Sequence, residues 1–172
     1  LHRLIRRQRQ MCIRDRYKSV EGAFTAGLLH DIGKNFFEQY MHNEYKETLK
    51  YAEEKKISIY KAEKEVIGID HATVGKLMAE KWNLPYELKA GIAFHHNPEE
   101  EKEENVMANI IHIANILCKQ KQIGFAGDNV IEPISQEARA LFNLAPDAEK
   151  EITESLENEL KEAEAFFNML KY

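Results

Sequence analysis

Hydrophobic residues recur at three- and four-residue steps along most of the chain, which is the spacing of one face of an α-helix. A clear instance is the series Tyr40, Met41, Tyr45, Leu49 and Ala52, set among glutamates and lysines. The pattern predicts helices over residues 23–29, 38–56, 60–67, 71–82, 85–96, 106–121, 135–142 and 147–170, with a loop over 124–133. No stretch has the alternation typical of a strand, so the pattern predicts an all-α fold with irregular packing.

Capping residues and glycines refine these boundaries. Asp70 is placed to cap the helix that begins at His71, and Pro85 suits the first turn of the next one. Gly33 and Gly75 favour a turn or a close helix contact rather than a phosphate loop, because no glycine-rich phosphate motif accompanies them. The larger aromatic residues, Trp82, Phe94, Phe125 and Phe142, are expected in the core, and Cys118 is expected to be a small buried hydrophobe.

Length and composition narrow the class of protein. The 172 residues fit one domain, and a hydrophobic content of 44% suffices for a buried core. The two cysteines, Cys12 and Cys118, are far apart and predict neither a disulfide framework nor a zinc knuckle. No apolar run approaches the ~20 residues of a membrane span, so a cytoplasmic protein is expected.

Charge divides the chain sharply at residue 16. The first 16 residues hold six of the seven arginines, whereas the rest of the chain is rich in lysine and acidic overall. The stretch RRQRQMCIRDR resembles the translation of a transposase sequencing adapter. Residues 1–16 are therefore interpreted as a non-native artefact and excluded, and 17–172 as a partial domain that has lost its natural N-terminus. The acidic remainder argues against a nucleic-acid partner.

The stretch AGLLHDIGK places His30 and Asp31 at the end of a predicted apolar helix. His71 follows an N-cap, and His95 and His96 end another helix. Imidazole and carboxylate ligands suit a transition metal, so these five residues are candidate ligands: His30, Asp31, His71, His95 and His96. Within a helix the doublet would diverge by ~100°, so only one member is expected to face a shared site. The alternative is a vestigial polar cluster whose hydrogen bonds hold helices together. His42 is expected to be ordinary surface.

Taken in order, three segments resemble the HDOD domain, the HD-related output domain of bacterial signalling proteins. They are AFTAGLLHDIGK, IGIDHATVGKLMAEKWNLPYELKAGIAFHHNPE and NIIHIANILC, and the resemblance spans roughly residues 21–170. It implies the irregular helical bundle of the HD superfamily, with the C-terminal amphipathic helix included.

The resemblance also implies a ligand set. His30 and Asp31 match the central pair of the metal-dependent HD phosphohydrolases, His71 the next histidine, and His95 and His96 the doublet. The late aspartate of that set falls at Asn115, and the early histidine would lie before Tyr17. A divalent metal such as iron or manganese is thus a possible cofactor of a degenerate site. If the site were active, His30 and Asp31 would hold metal and Lys34 would meet phosphate.

The resemblance implies a regulatory module of a bacterial signalling protein that acts through protein contacts with signalling proteins or adjacent signalling domains. Turnover is not expected, because two ligands are missing or replaced. Two alternatives remain open: a metal-dependent phosphohydrolase acting on a substrate such as a cyclic dinucleotide, and a nucleotide sensor without turnover. Neither a nucleic-acid nor a membrane partner is expected, and the oligomeric state is left unspecified.

Overall fold

The structure is a computed structural model that describes residues 20–101 and 106–169, with side chains to residue 158 and at residue 161. The elements are α1 Val20–Leu29, α2 Ile32–Tyr40, α3 His42–Lys55, α4 Ile59–Val66, α5 His71–Lys81, α6 Tyr86–Phe94, a 3₁₀ turn Pro98–Glu100, α7 Val106–Gln120, α8 Gln136–Phe142 and α9 Pro146–Met169. No strand occurs in these residues, so the predicted all-α class is confirmed. Within the same ranges no helix is both long enough and apolar enough to cross a membrane.

One predicted helix was wrong. The expected single helix over 38–56 is divided at Met41, whose φ of −136° and ψ of 39° are not helical. Two backbone hydrogen bonds bracket the break, from Met41 N to Phe37 O and from Tyr45 N to Met41 O. The change of direction lets Phe37 and Tyr45 both reach the core, with their ring centroids 5.8 Å apart. Packing in the core thus divides the helix, although the hydrophobic periodicity of residues 38–56 is continuous.

Buried side chains form separate clusters. The largest lies among α2, α3, α4 and α5 and contains Phe37, Tyr45, Ala52, Ile59, Ala62 and Val74. A second joins α7 to α8 and the residues around it: Ile116, Leu117, Ile134, Ala138 and Leu144. A third, Ala26, Met107 and Ile111, packs α1 on α7. Helices with apolar faces toward these clusters account for most of the fold.

Two glycines allow helices to approach closely, as predicted. A Cβ at Gly33 would lie 2.0 Å from the carbonyl oxygen of His71, so the start of α2 rests directly on the backbone at the start of α5. A Cβ at Gly75 would lie 2.7 Å from the side chain of Ile92, where α5 meets α6. The Gly33 contact brings the segment after α1 beside His71.

The expectation that all four large aromatic residues are core was wrong for two of them. Trp82 directly follows α5 and is 51% exposed, and Phe125 is 77% exposed between Gly124 and Gly127. Their positions at a helix end and in a loop explain the exposure. Phe94 and Phe142 are half-buried, and Cys118 is half-buried rather than fully buried.

The loop between α7 and α8 is fastened to the start of α4. The Asp128 carboxylate accepts hydrogen bonds from the backbone N–H of Ile59 at 2.9 Å and from Lys119 Nζ at 2.8 Å. Glu132 accepts from the Ser58 hydroxyl and pairs with Lys61. Asp128 therefore supplies α4 with an N-terminal hydrogen-bond acceptor from a distant part of the chain.

Candidate metal centre

His30 and Asp31 form the turn that separates α1 from α2. Asp31 occupies the N-cap position of α2, with φ −98° and ψ 13°, yet its side chain makes no capping hydrogen bond. Asp70, at the N-cap of α5, behaves in the ordinary way and accepts from Thr73 N at 2.8 Å. The Asp31 carboxylate thus does not cap the helix, which is the usual role of an aspartate at this position.

The other three predicted ligands come from two helix ends. His71 is the first residue of α5, and His95 and His96 follow the last residue of α6, Phe94. The two rings do not diverge as predicted for residues within a helix, since their centroids lie 4.2 Å apart. The expectation that only one of them would face a shared site was wrong: the Nε2 atoms of His95 and His96 lie 3.4 Å and 3.0 Å from His71 Nε2.

The five predicted ligands lie close together in two overlapping groups. One contains His71, His95 and His96, and the other contains His30, Asp31 and His95, with the ligand atoms of each group within 4.8 Å of one another. Asp31 links the groups, since its Oδ1 lies 3.2 Å from His71 Nε2 and 3.7 Å from His95 Nε2. Asp31 Oδ2 lies 3.4 Å from His30 Nε2.

Hydrogen bonds at Nδ1 fix how three of the rings face this cluster. His30 Nδ1 lies 2.7 Å from Gly27 O, His95 Nδ1 lies 2.8 Å from Ile92 O, and His71 Nδ1 lies 2.5 Å from Glu63 Oε2. Carbonyl and ionised carboxylate oxygens only accept, so each Nδ1 carries the hydrogen. In the neutral rings the lone pairs are therefore on the Nε2 atoms, which point into the cluster.

These positions fit a metal ion. Two ligands each about 2.1 Å from one ion, at angles between 90° and tetrahedral, are about 3.0 to 3.4 Å apart. The two histidine separations from His71 Nε2 match that range at 3.0 Å and 3.4 Å. Asp31 Oδ1 is also buried without a hydrogen-bond partner among the described residues. Several imidazoles with one carboxylate form a donor set suited to iron, manganese, nickel or zinc.

The pKa values of the clustered histidines and of Asp31 are shifted by burial and by their close neighbours. Burial lowers the pKa of His95 and His96 well below the usual value, and the neighbouring histidines add to the effect. Burial alone would lower the pKa of His71, but the adjacent carboxylates of Asp31 and Glu63 outweigh it and raise that pKa. Burial alone would raise the pKa of Asp31, but the adjacent His71 ring and the charge of Lys34 hold it well below its usual value.

Lys34 lies within the cluster rather than projecting into open space. Its Nζ donates to Asp31 Oδ2 at 2.7 Å and to the carbonyl oxygen of Ala126 at 3.1 Å. The lysine therefore neutralises Asp31 and ties the α7–α8 loop to the cluster. His42, by contrast, is exposed and contacts Glu38 at 2.8 Å.

Three further residues surround the cluster and were not predicted from the sequence. Glu63 contacts His71, and Tyr60 stacks on His96 with ring centroids 4.3 Å apart. His112 Nδ1 donates to His95 O, and its Nε2 accepts from Ser135 N. The available signal for Glu63 was a carboxylate at the i+4 position from Ile59, on an apolar helix face. Burial lowers the pKa of His112, consistent with a neutral ring that bonds at both nitrogens.

Asn115 is half-buried on α7, three residues after His112. Its place in the ligand set stays a prediction. Predictions for residues 1–16 lie outside the described residues.

The sequence model of the HDOD domain family matches residues 7–98, more than half of the chain. The chain belongs to the HDOD domain family. The match begins within the segment interpreted as an adapter translation, and that interpretation stays a prediction. An uncharacterized protein of Treponema pallidum (strain Nichols) is 25% identical over 101 residues, which are 58% of this chain and 20% of that protein. The chain thus spans about a fifth of that relative's length.

Two crystal structures share the fold of this HDOD domain. One is an HDOD domain protein of unknown function from Geobacter sulfurreducens, with a TM-score of 0.69 and 24% identity over 83% of this chain and 51% of that one. The other is described as a candidate phosphohydrolase from Shewanella amazonensis SB2B, with a TM-score of 0.55 and 24% identity over 80% of this chain and 55% of that one. At this identity the likeness establishes the fold alone.

Proposed function

We propose that this HDOD domain is a bacterial signal-transduction module whose histidine cluster binds a divalent ion, Fe²⁺ or Mn²⁺, without phosphoester turnover. The observation that carries the proposal is the approach of three inward-facing Nε2 atoms, those of His71, His95 and His96, to 3.0 Å and 3.4 Å. Two nitrogen lone pairs at these distances repel each other unless a proton or a metal ion lies between them. His30 and Asp31 would complete the ligand set.

The chain's own residues explain why binding is proposed without turnover. A bound divalent ion would supply positive charge that polarises an oxygen ligand, and hydrolysis needs this effect to be strong. Asp31 is the one carboxylate among the predicted ligands, and Lys34 already neutralises it. Asn115, at the position where the resemblance implies an aspartate, brings no charge.

Exposed apolar side chains support the proposed protein contacts. Phe24 and Leu28 lie one turn apart on α1 and are 74% and 72% exposed in the described part of the chain. Leu77, Trp82 and Tyr86 are also exposed, on or next to α5 and α6. Such side chains suit a signalling protein or an adjacent signalling domain as the partner. A cytoplasmic location belongs to the same proposal.

A metal-dependent phosphohydrolase is the second candidate. The fold shared with the Shewanella amazonensis protein, itself described as a candidate phosphohydrolase, favours it. So does the ammonium group of Lys34, which lies beside Asp31 at the partly exposed side of the cluster.

The test is metal content and hydrolysis, measured together. The wild-type protein, His96→Ala and the control His42→Ala are produced with manganese and iron and analysed by elemental mass spectrometry. We expect about one ion per chain in the wild type and the control, and at least tenfold less in His96→Ala. Hydrolysis of cyclic di-GMP and bis(p-nitrophenyl) phosphate should stay at background. Turnover by the metal-loaded protein would favour the phosphohydrolase, and metal far below one per chain would reject both.

A further inference from the structure

Glu63 is a fully buried carboxylate on an otherwise apolar face of α4. An isolated charge at such a position is strongly unfavourable, so its partners identify its role. Oε2 accepts from two donors of one residue, the backbone N–H of His71 at 2.8 Å and the ring Nδ1–H at 2.5 Å. Oε1 has no hydrogen-bond partner among the described residues. The known contacts of this carboxylate are thus directed at His71 alone.

We propose that Glu63 is a positioning residue that holds the proton of His71 on Nδ1 and the ring in place, so that the Nε2 lone pair faces the metal site. The inference rests on the proposed metal binding, and it assigns a role to a residue outside the ligand set.

The double contact makes this arrangement specific. If Glu63 bonded only to the ring, the carboxylate and the imidazole could rotate together relative to the backbone. Because the same oxygen also accepts the backbone N–H of His71, the carboxylate is fixed relative to the first residue of α5. Rotating the imidazole by 180° about χ2 would move Nδ1 away from Oε2 and leave a buried charge with one hydrogen bond fewer. A carboxylate behind a metal-binding imidazole also increases the basicity of the ligating nitrogen.

The other two inward-facing rings with an Nδ1 contact provide a comparison within the site. His30 and His95 both donate to the carbonyl oxygen of a residue three positions earlier, Gly27 and Ile92. Those acceptors are neutral and belong to the same helix end as the ring. His71 instead uses a side-chain carboxylate from a different helix as its acceptor, so the orientation of this ring depends on how α4 packs against α5.

The test compares Glu63→Gln with Glu65→Gln, a matched control on the same helix whose carboxylate is exposed and accepts from the Tyr51 hydroxyl. Glutamine keeps the size of Glu63 but removes its charge. Titration of metal-free protein with Mn²⁺ by calorimetry should give a dissociation constant 10- to 100-fold higher for Glu63→Gln, and one within twofold of wild type for Glu65→Gln. Melting temperature is measured in parallel to identify loss of fold.

A second measurement needs no variant and no metal. Long-range ¹H–¹⁵N spectra of the metal-free wild type, taken at a pH where the ring is neutral, should show His71 with its hydrogen on Nδ1. A hydrogen on Nε2 would overturn the inference, as would unchanged Mn²⁺ affinity in folded Glu63→Leu, because leucine removes the acceptor oxygen that glutamine keeps. If the wild type binds no Mn²⁺, the proposed function fails. The spectrum then still decides whether Glu63 sets the position of the His71 proton.

Discussion

The two sides of the candidate metal centre differ in how they are held. On the inner side, His71 and His95 are buried and are fixed by contacts with Glu63, Ile92 and neighbouring rings. On the outer side, His30 and Asp31 keep 20% and 30% of their side-chain surface exposed. The inner side supplies positioned neutral donors, and the outer side supplies the negative charge together with Lys34, its counter-cation. A metal ion would bind nitrogens that are already positioned, but it would have to compete with Lys34 for the Asp31 carboxylate.

The largest effect is expected where the two sides meet. In Gly33→Ala the new Cβ would lie 2.0 Å from His71 O, a backbone atom that cannot move without shifting α5. We expect a loss of about 3 kcal/mol or more in the free energy of unfolding, measured by chemical denaturation. Gly27→Ala is the control, because its Cβ would make only an ordinary van der Waals contact with the Ile111 side chain at 3.9 Å. Equal stabilities of the two variants would contradict the close contact between α2 and α5.

An intermediate effect is expected from pH in the metal-free protein. His95 and His96 have folded-state pKa values well below the ordinary value of about 6.5, so their contribution to stability is complete above pH 6.5 and falls as the pH decreases. The raised pKa of His71 has the opposite sign: its contribution is present below pH 6.5 and is lost as the pH rises through the folded value.

The two lowered values should dominate, so the metal-free protein should be less stable at pH 5.5 than at pH 7.5 in urea denaturation. His96→Gln should reduce this dependence, and the exposed His42→Gln should leave it unchanged. Stability that rises on acidification over this range would mean that His95 and His96 are not buried in the neutral form.

The smallest effect is expected on the outer side. Lys34→Met removes the cation that competes for Asp31 Oδ2, but an ion pair with a partly exposed carboxylate contributes only about 0.2–1 kcal/mol. Mn²⁺ affinity should therefore increase by at most about fivefold in a calorimetric titration. Lys61→Met, which removes an exposed partner of Glu132, is the control. A tenfold decrease in affinity would show that Lys34 supports binding instead of competing with it.

Local patterns predicted most of the helices, because capping and periodicity act within a few residues. Asp70 was identified as an N-cap and accepts from Thr73 N. The break at Met41 was not predictable in this way, since it depends on Phe37 and Tyr45 reaching one core. The exposure of Trp82 and Phe125 likewise depends on which surfaces the fold leaves uncovered.

The candidate site shows the same limit. The histidines and Asp31 could be selected by residue type and by their positions at helix ends, and the structure brings all five together. Glu63 was not selected, because its position four residues after Ile59 is a weak signal among the lysines and glutamates of 61–65. Its burial and its contact with His71, eight residues away, arise only when α4 packs beside α5. The phosphate contact suggested by the type of Lys34 stays a prediction, and its contacts with Asp31 and Ala126 were not predictable from the sequence.

The contact from Asp128 to Ile59 spans 69 residues and has a consequence for synthesis of the chain. During translation, the start of α4 lacks this acceptor until the ribosome has released the chain well beyond residue 128. The helix that carries Glu63 therefore acquires its final N-terminal contact late, after α5, α6 and α7 have emerged. The contacts that complete α4 thus extend past residue 98, where the family match ends, and include the α7–α8 loop.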